Sequence, residues 1–332
     1  MHQWKSLDAT DQQRLLPLID DVTAIVDGSA RGLFIYLLLD QAQDNPLADA
    51  LTESASIHRM YPVPDPYFAR NSALAPQLVA LASPPGVTIL REIVAAAYTE
   101  AKHRLRPHYI CGLLWSEEEI HAVADHLLRL GYQSDPADEP RLFRYQDPRV
   151  MQRLWPALTA AQQTAWLGPI RQWWSYPQPH GPMPCDGATG ERVEAVAENY
   201  WVRAVRPTEL AANRVSLSRR FLSAQQWALA HLSPAISRFW LHLAQIGPTA
   251  YRVPDEADVV RWLMEADGHQ LKDADAVEYA ISIFRSSEEV WRRHDMQAAV
   301  IAALSHMNAE PGIGFGDAFG SVAPTEYRFS GV

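Results

Sequence analysis

Apolar residues follow two rhythms along this chain. In the first half, short unbroken apolar runs alternate with stretches whose apolar positions recur every three to four residues; in the second half only the helical spacing persists. Leu33-Phe34-Ile35-Tyr36-Leu37-Leu38-Leu39 has no charged or amide break, which is the pattern of a strand buried on both faces, and it stops at Asp40. Residues 57–61 and 77–82 read as two further strands, and 108–115 as an apolar one. Between them lie helices: 8–27 with Pro17 as a break, one opened by Asn45-Pro46 and running through Glu53, and 87–101 with Ile89, Ile93, Ala96 and Ala97 on one side. Ser116, with Glu119 three residues on, forms a capping-box signature ahead of a helix that buries Ile120, Val123, Ala124, Leu127 and Leu128 and ends at Gly131. Thr159 with Gln162 caps another, kinked at Gly168-Pro169 and closing on Trp173-Trp174. Strands alternating with helices predict an α/β N-terminal domain, residues 1–175, with a largely parallel or mixed sheet.

One stretch changes period in its middle. Leu142 to Tyr145 reads as a strand, whereas Val150, Met151, Leu154 and Trp155 share one helical face. Asp147-Pro148 is the joint. An Asp at the N-cap accepts a bond from an orphan N–H, and Pro suits the first helical position because its missing N–H is not needed there. The strand therefore stops, turns and becomes a helix, with Arg144, Asp147 and Arg149 gathered at the corner.

Residues 176–215 begin with four prolines and a glycine between Tyr176 and Asp186 and read as a Pro-rich linker followed by an irregular segment. An all-α C-terminal lobe follows over 216–308. Ser223 with Gln226 is a capping box; Ser233-Pro234 starts a helix with Ile236, Phe239, Trp240 and Leu243 on one face. Val259, Trp262, Leu263 and Ala266 repeat the spacing, as do Val277, Ala280, Ile281 and Phe284, and Ser286 with Glu289 caps a last helix through Leu304. The tail, 309–332, carries five glycines and two prolines and is expected to be extended or mobile.

Composition narrows the class. The 332 residues are 48% hydrophobic with a formal charge of −10, enough to bury a sizeable core. Acidic residues outnumber basic ones on both sides of Ser175, so nucleic acid is not the expected partner. Cys111 and Cys185 are too few for a disulfide scaffold, the N-terminus lacks a signal-peptide pattern, and no apolar run approaches the roughly 20 residues of a membrane span. A cytoplasmic protein with no membrane partner is the expectation.

Candidate chemistry is sparse. There is no Gly-x-Ser-x-Gly elbow and no Gly-x-x-x-x-Gly-Lys loop, and Gly312-x-Gly314-x-Gly316 lies in the tail. His108 and Cys111 point to opposite faces of a strand, so Cys111 reads as a buried structural thiol. Glu117 and His121 are spaced to share a metal but His126 is not, and His180 with Cys185 makes two ligands where a structural zinc needs four. Asp40, Asp147 and Arg149 carry more: if the strand ending at Asp40 runs parallel to the one at 142–145 and lies near it, these residues meet at the sheet edge where α/β folds bind ligands. Capping and pairing explain Asp147 and Arg149 equally well. Of the eleven Trp residues, those after the α/β core, Trp240 and Trp262 among them, are core or, where exposed, interface anchors.

The segments Leu38-Leu39-Asp40-Gln41-Ala42-Gln43, Ala75-Pro76-Gln77-Leu78-Val79, Trp115-Ser116 and above all Phe143-Arg144-Tyr145-Gln146-Asp147-Pro148-Arg149-Val150 resemble the type VI secretion effector adaptors, or effector chaperones, over about residues 32–174. The resemblance implies a non-enzymatic cytoplasmic protein without cofactors. It would hold a toxic effector and load it onto the trimeric VgrG spike, and it would put Arg144, Asp147 and Arg149 in the family's motif. The competing expectation is a hydrolase or small-ligand-binding protein that uses the Asp40/Asp147 edge.

Overall fold

The structure is a computed structural model that describes residues 3–28, 33–54, 57–64, 66–82, 85–102, 108–176, 202–205, 217–246 and 254–324. Gly32, His180, Cys185, Trp201 and most of the Pro-rich linker lie outside the described residues. The chain divides into two compact units, Met1–Pro179 with Ala197–Ala230, and His180–Val196 with His231–Val332.

The first unit is built on a six-stranded sheet in the order β2-β3-β1-β4-β7-β8. Its strands are β1 (Phe34–Leu39), β2 (Ile57–Pro62), β3 (Gln77–Leu81), β4 (Ile110–Ser116), β7 (Ile170–Ser175) and β8 (Val202–Val205), the last inside the segment read as irregular. A separate hairpin pairs β5 (Tyr132–Ser134) with β6 (Pro140–Leu142). Helices α1 (Gln3–Ser6), α2 (Ala9–Gly28), α3 (Ala48–Glu53), α4 (Val87–Ala101), α5 (Ile120–Gly131), α6 (Pro148–Leu154) and α7 (Ala160–Leu167) complete it, with the start of α8 (Ala224–Ile246).

Every pairing in the sheet is antiparallel, against the parallel or mixed sheet that the alternation predicted. The reason is interleaving. Strands β1 and β2, joined through α3, do run in the same direction, as do β3 and β4, joined through α4. Yet β3 lies between β1 and β2, and β1 lies between β3 and β4, so each crossover skips a strand and every neighbour is reversed. The unbroken apolar run of β1 correctly signals burial on both faces, because helices cover both. Ile35, Leu37 and Leu39 face a core shared with α2, α3 and α4. Tyr36 and Leu38 face a second core that includes α5, α6, α7, Trp166, Trp173 and the start of α8. Two-sided coverage, rather than strand direction, is what such a run encodes.

Three local expectations change. Ser116 ends β4 instead of capping α5. Its hydroxyl accepts the Glu118 N–H at 3.0 Å and donates to the Pro169 carbonyl, while Glu119 stands at the N-cap. Gly168 does not kink a helix but ends α7, and Trp173-Trp174 lie on strand β7. A Cβ at Gly168, where φ is +52°, would fall 2.2–2.6 Å from the His126 ring, so close approach as well as backbone conformation requires glycine there.

The second unit is helical: α8 from His231, α9 (Glu256–Gly268), α10 (Asp273–Ser286), α11 (Glu288–Trp291), α12 (His294–Ala309) and α13 (Phe315–Val322). Ile236, Phe239, Trp240 and Leu243 are all buried, as the spacing required. Pro234 does not begin a helix; α8 runs through it. The last predicted helix is split, with Ser287 at φ +66° accepting the Val290 N–H to cap α11 before α12 begins. The tail is not extended throughout either. Phe315 and Phe319 of α13 are buried against Tyr279 and Trp291, and the Phe315 N–H donates to Asp275 at 2.8 Å. Gly314 is the N-cap of that helix, so the glycine run serves a helix start. Among the described residues no helix is long and apolar enough to cross a membrane.

Candidate functional site

Asp40 continues the even-numbered side of β1, the face that packs on α5, α6 and α7. The strand's last ladder step pairs Leu39 with Ile110, and the Asp40 N–H donates to the Tyr109 carbonyl at 2.8 Å, which fixes the residue at one end of the sheet. Gln77, the first residue of β3, stands at the same end, where Gln41 donates to both Gln77 and the Tyr109 hydroxyl. The Asp40 carboxylate is almost fully buried; one oxygen accepts the Ala42 N–H at 3.1 Å and the other the Arg144 guanidinium at 2.6 Å.

Arg144 arrives there from the corner. The strand is shorter than the sequence suggested, since β6 ends at Leu142 and joins the hairpin, outside the main sheet. The chain then turns through Tyr145 and Gln146, and Asp147 caps α6 as expected. Its side chain accepts the Arg149 N–H at 2.9 Å, with Pro148 at the first helical position. The same carboxylate accepts from Nε and Nη2 of Arg149 at 3.0 and 2.7 Å, a bidentate pair on a helix whose every residue is buried. The sequence-predicted residues Asp40, Arg144, Asp147 and Arg149 are thus brought together, but by an antiparallel sheet and a separate hairpin, not by two parallel strands.

The electrostatics distinguish the carboxyls. Burial pushes Asp40 up and the nearby Asp147 charge adds to this, more than the Arg144 charge and the Ala42 N–H offset, so Asp40 sits above its ordinary value. Burial would also raise Asp147, but the hydrogen bonds and charge of Arg149, with the charge of Arg144, outweigh it and hold that carboxyl below its ordinary value. Glu100, near the end of α4, is a third member that sequence reasoning missed. It accepts the Tyr109 and Ile110 N–H groups at 2.8 and 3.0 Å, and burial raises its carboxyl to about 7. Only the fold brings Glu100 to the start of β4; nothing in the local sequence marks it. Burial also pushes the Cys111 thiol well up, which leaves it protonated and unreactive at neutral pH.

The other candidates separate. Trp240 and Trp262 are buried, packed around Phe239 in the second unit, so neither serves as an exposed interface anchor. Glu117 lies ahead of α5 and pairs with Arg171, His121 packs edge-on to Tyr61, and the buried His126 meets the Trp166 carbonyl at 2.7 Å. Among the described residues no group of three or more His, Cys, Asp or Glu is placed to hold a metal ion.

What the arrangement does chemically is neutralise itself. Asp40 is spent on Arg144, Asp147 on Arg149 and on the helix start, and Arg144 alone of the four keeps a side chain about two-fifths exposed, at 39%. No curated protein and no solved structure matches the chain. Residues 35–165 match the family described as Domain of unknown function (DUF4123), and this domain, from β1 into α7, contains the whole Asp40–Arg144–Asp147–Arg149 cluster.

Proposed function

We propose that this protein is a non-catalytic adaptor of a type VI secretion system: it holds a toxic effector in the cytoplasm and loads it onto the VgrG spike. The observation that carries the reading is the block Phe143–Val150, which resembles the effector-adaptor family and falls inside the matched domain. The geometry of the block supports it. A catalytic carboxylate pair needs one group free to take or give a proton against substrate, whereas Asp147 is committed to three donors of one arginine and Asp40 to Arg144. Binding of the effector to the folded adaptor alone would raise the adaptor's apparent stability by mass action. The test is a pull-down of the tagged full chain from its native host with identification of co-purified proteins. Recovery of a large toxin together with a spike protein is the expected result; recovery of neither would overturn the reading.

One observation favours a second reading, a hydrolase or small-ligand-binding protein at the same end of the sheet: Glu100 and Asp40 both have raised carboxyls, as general acids do. A ligand-dependent rise in melting temperature that disappears in Glu100→Gln would favour it over the adaptor.

A further inference from the structure

The described arginines of the first unit differ in what they contact: Arg14 meets Asp11, and Arg59 and Arg91 lie over the rings of Tyr61 and Trp4. Arg141, Arg144, Arg149, Arg171, Arg203 and Arg220 each contact a carboxylate. Arg70, Arg129 and Arg219 are exposed and have no carboxylate partner among the described residues. All three lie on segments that converge beside the β5–β6 hairpin. The Arg219 guanidinium lies 5.0 Å from the ring centroid of Tyr132 on β5, and the Arg219 carbonyl accepts the Ser134 N–H at 2.8 Å. The Arg129 carbonyl, near the end of α5, accepts the Gln133 side-chain amide at 2.9 Å. Tyr67 reaches the same place from the loop between β2 and β3, its ring centroid 6.0 Å from that of Tyr132, and Arg70 follows on that loop.

The loop is rooted but raised. The Val63 N–H donates to the Pro76 carbonyl at 2.7 Å, and Val63 and Ala75 are buried at its ends. Between them Tyr67 is 42% and Leu74 39% exposed. Short 3₁₀ turns at Pro66–Phe68 and Ser72–Leu74 hold the chain in shape, so these side chains need little further ordering when something binds. Exposed Tyr and Arg on a pre-ordered support are the residue types that dominate interface energetics. Stacking on Tyr132 orients the Arg219 guanidinium while its N–H donors stay available to a carboxylate.

We infer that this face docks an extended peptide segment whose carboxylates are separated by apolar side chains. The carboxylates engage Arg70, Arg129 and Arg219, and the apolar groups lie on Tyr67 and Leu74. The inference deepens the adaptor reading and rests on it only in naming the cargo as the source of the segment. Charge complementarity selects the partner class: the chain carries −10 overall, yet beside these tyrosines Asp135 and Asp138 are already paired with Arg141 and Arg220, which leaves Arg70, Arg129 and Arg219 against only the exposed Asp125 and Glu139. A nucleic acid would meet the repulsion of the whole chain and leave Leu74 without a contact.

The probe is a labelled peptide of alternating Glu and Leu, followed by fluorescence anisotropy against the full chain. A Lys–Leu peptide and an oligothymidine matched in charge to the Glu–Leu peptide serve as comparators. The Glu–Leu peptide should bind, and binding should weaken as salt rises from about 50 mM to about 500 mM. Affinity should fall at least about tenfold in Arg70→Ala/Arg219→Ala and in Tyr67→Ala, with melting temperature and circular dichroism unchanged. Absence of binding, equal binding of the Lys–Leu peptide, tighter binding of the oligothymidine, or undiminished affinity in the variants would each overturn the inference. The adaptor reading fails separately: a chain that recovers toxin and spike from its host but ignores the Glu–Leu peptide keeps that function and loses this surface.

Discussion

Replacing Asp147 by alanine perturbs two interactions through one carboxylate. The first is the α6 cap, the bond from the Arg149 N–H at 2.9 Å, whose loss costs about 1 kcal/mol. The second is the bidentate pair with Arg149, whose partners are 6% and 3% exposed; removing one partner of a buried pair costs about 3–5 kcal/mol because the other charge stays buried. The two losses share atoms and overlap, and Arg149 has further contacts that remain. We therefore expect about 3 kcal/mol for Asp147→Ala, and about 1 kcal/mol less for Asp147→Asn, which keeps a capping acceptor. Urea unfolding followed by Trp emission reads this directly, since Trp166 and Trp173 share a core with Met151 and Leu154 of α6. At an m-value of about 2–3 kcal/mol/M the alanine variant should shift the midpoint by about 1 M. The pH dependence has a defined sign. Asp147 is held below its ordinary value, 3.8, so its contribution is present above that pH and is lost as pH falls through the depressed folded value. The penalty of Asp147→Ala should be equal at pH 7 and pH 5 and shrink below about pH 4. A loss under about 1 kcal/mol at pH 7, with cargo binding abolished, would refute the structural account and make Asp147 a contact residue.

Glu100 behaves oppositely: its folded value of about 7 lies above the ordinary 4.5, so stability from this group is full below pH 4.5 and is lost as pH rises through 7; Glu100→Gln should flatten that decline in melts taken across the interval. Gly168→Ala should destabilise by about 1–3 kcal/mol, since the new methyl meets the His126 ring, and a second change, His126→Ala, should recover part of the loss in a double-mutant cycle. Trp240→Ala should cost about 3–5 kcal/mol in chemical unfolding, because the residue is 2% exposed, whereas Trp240→Phe, which keeps an aromatic ring there and leaves a smaller cavity, should cost less and leave recovery of the cargo unchanged.

How far the sequence could be read depended on whether the signal was local. The Asp147-Pro148 corner, the Thr159/Gln162 and Ser223/Gln226 capping boxes and the apolar stripe through Trp240 are set by neighbours within a turn, and each appears in the structure. Strand direction was not local. It depends on which strand fills the gap left by each crossover, and β3 fills the gap between β1 and β2. The glycines at 312, 314 and 316 misled because glycine suits a helix start as well as a mobile tail; Phe315 and Phe319, at i and i+4, were the countersignal. Pro234 misled likewise, since a proline expected to begin a helix sits inside one. Glu100 had no signal at all, because its partners lie nine and ten residues on, across a strand start that only the fold supplies.

Period two also explains why the corner meets the centre of the sheet. Tyr36 and Leu38 point to the face that carries α6, and Asp40 is the next residue on that side, where the strand ends and a charge can be tolerated. An unpaired carboxylate buried there would be costly, and Arg144, displaced from β6 by the end of the hairpin, supplies the opposite charge at 2.6 Å. Glu100 caps the start of β4 from α4, on the opposite face, where hydrogen bonds from two backbone N–H groups replace an arginine. Arg144 ties the hairpin–helix layer to the central strand β1, so the block that resembles the adaptor family is the joint that sets the position of the β5–β6 hairpin. The hairpin in turn carries Tyr132, on which Arg219 and Tyr67 converge. Substitution of Arg144 should therefore weaken peptide docking through Tyr132 without Arg144 touching the peptide, and Arg144→Lys, which keeps the charge on Asp40, should restore part of it.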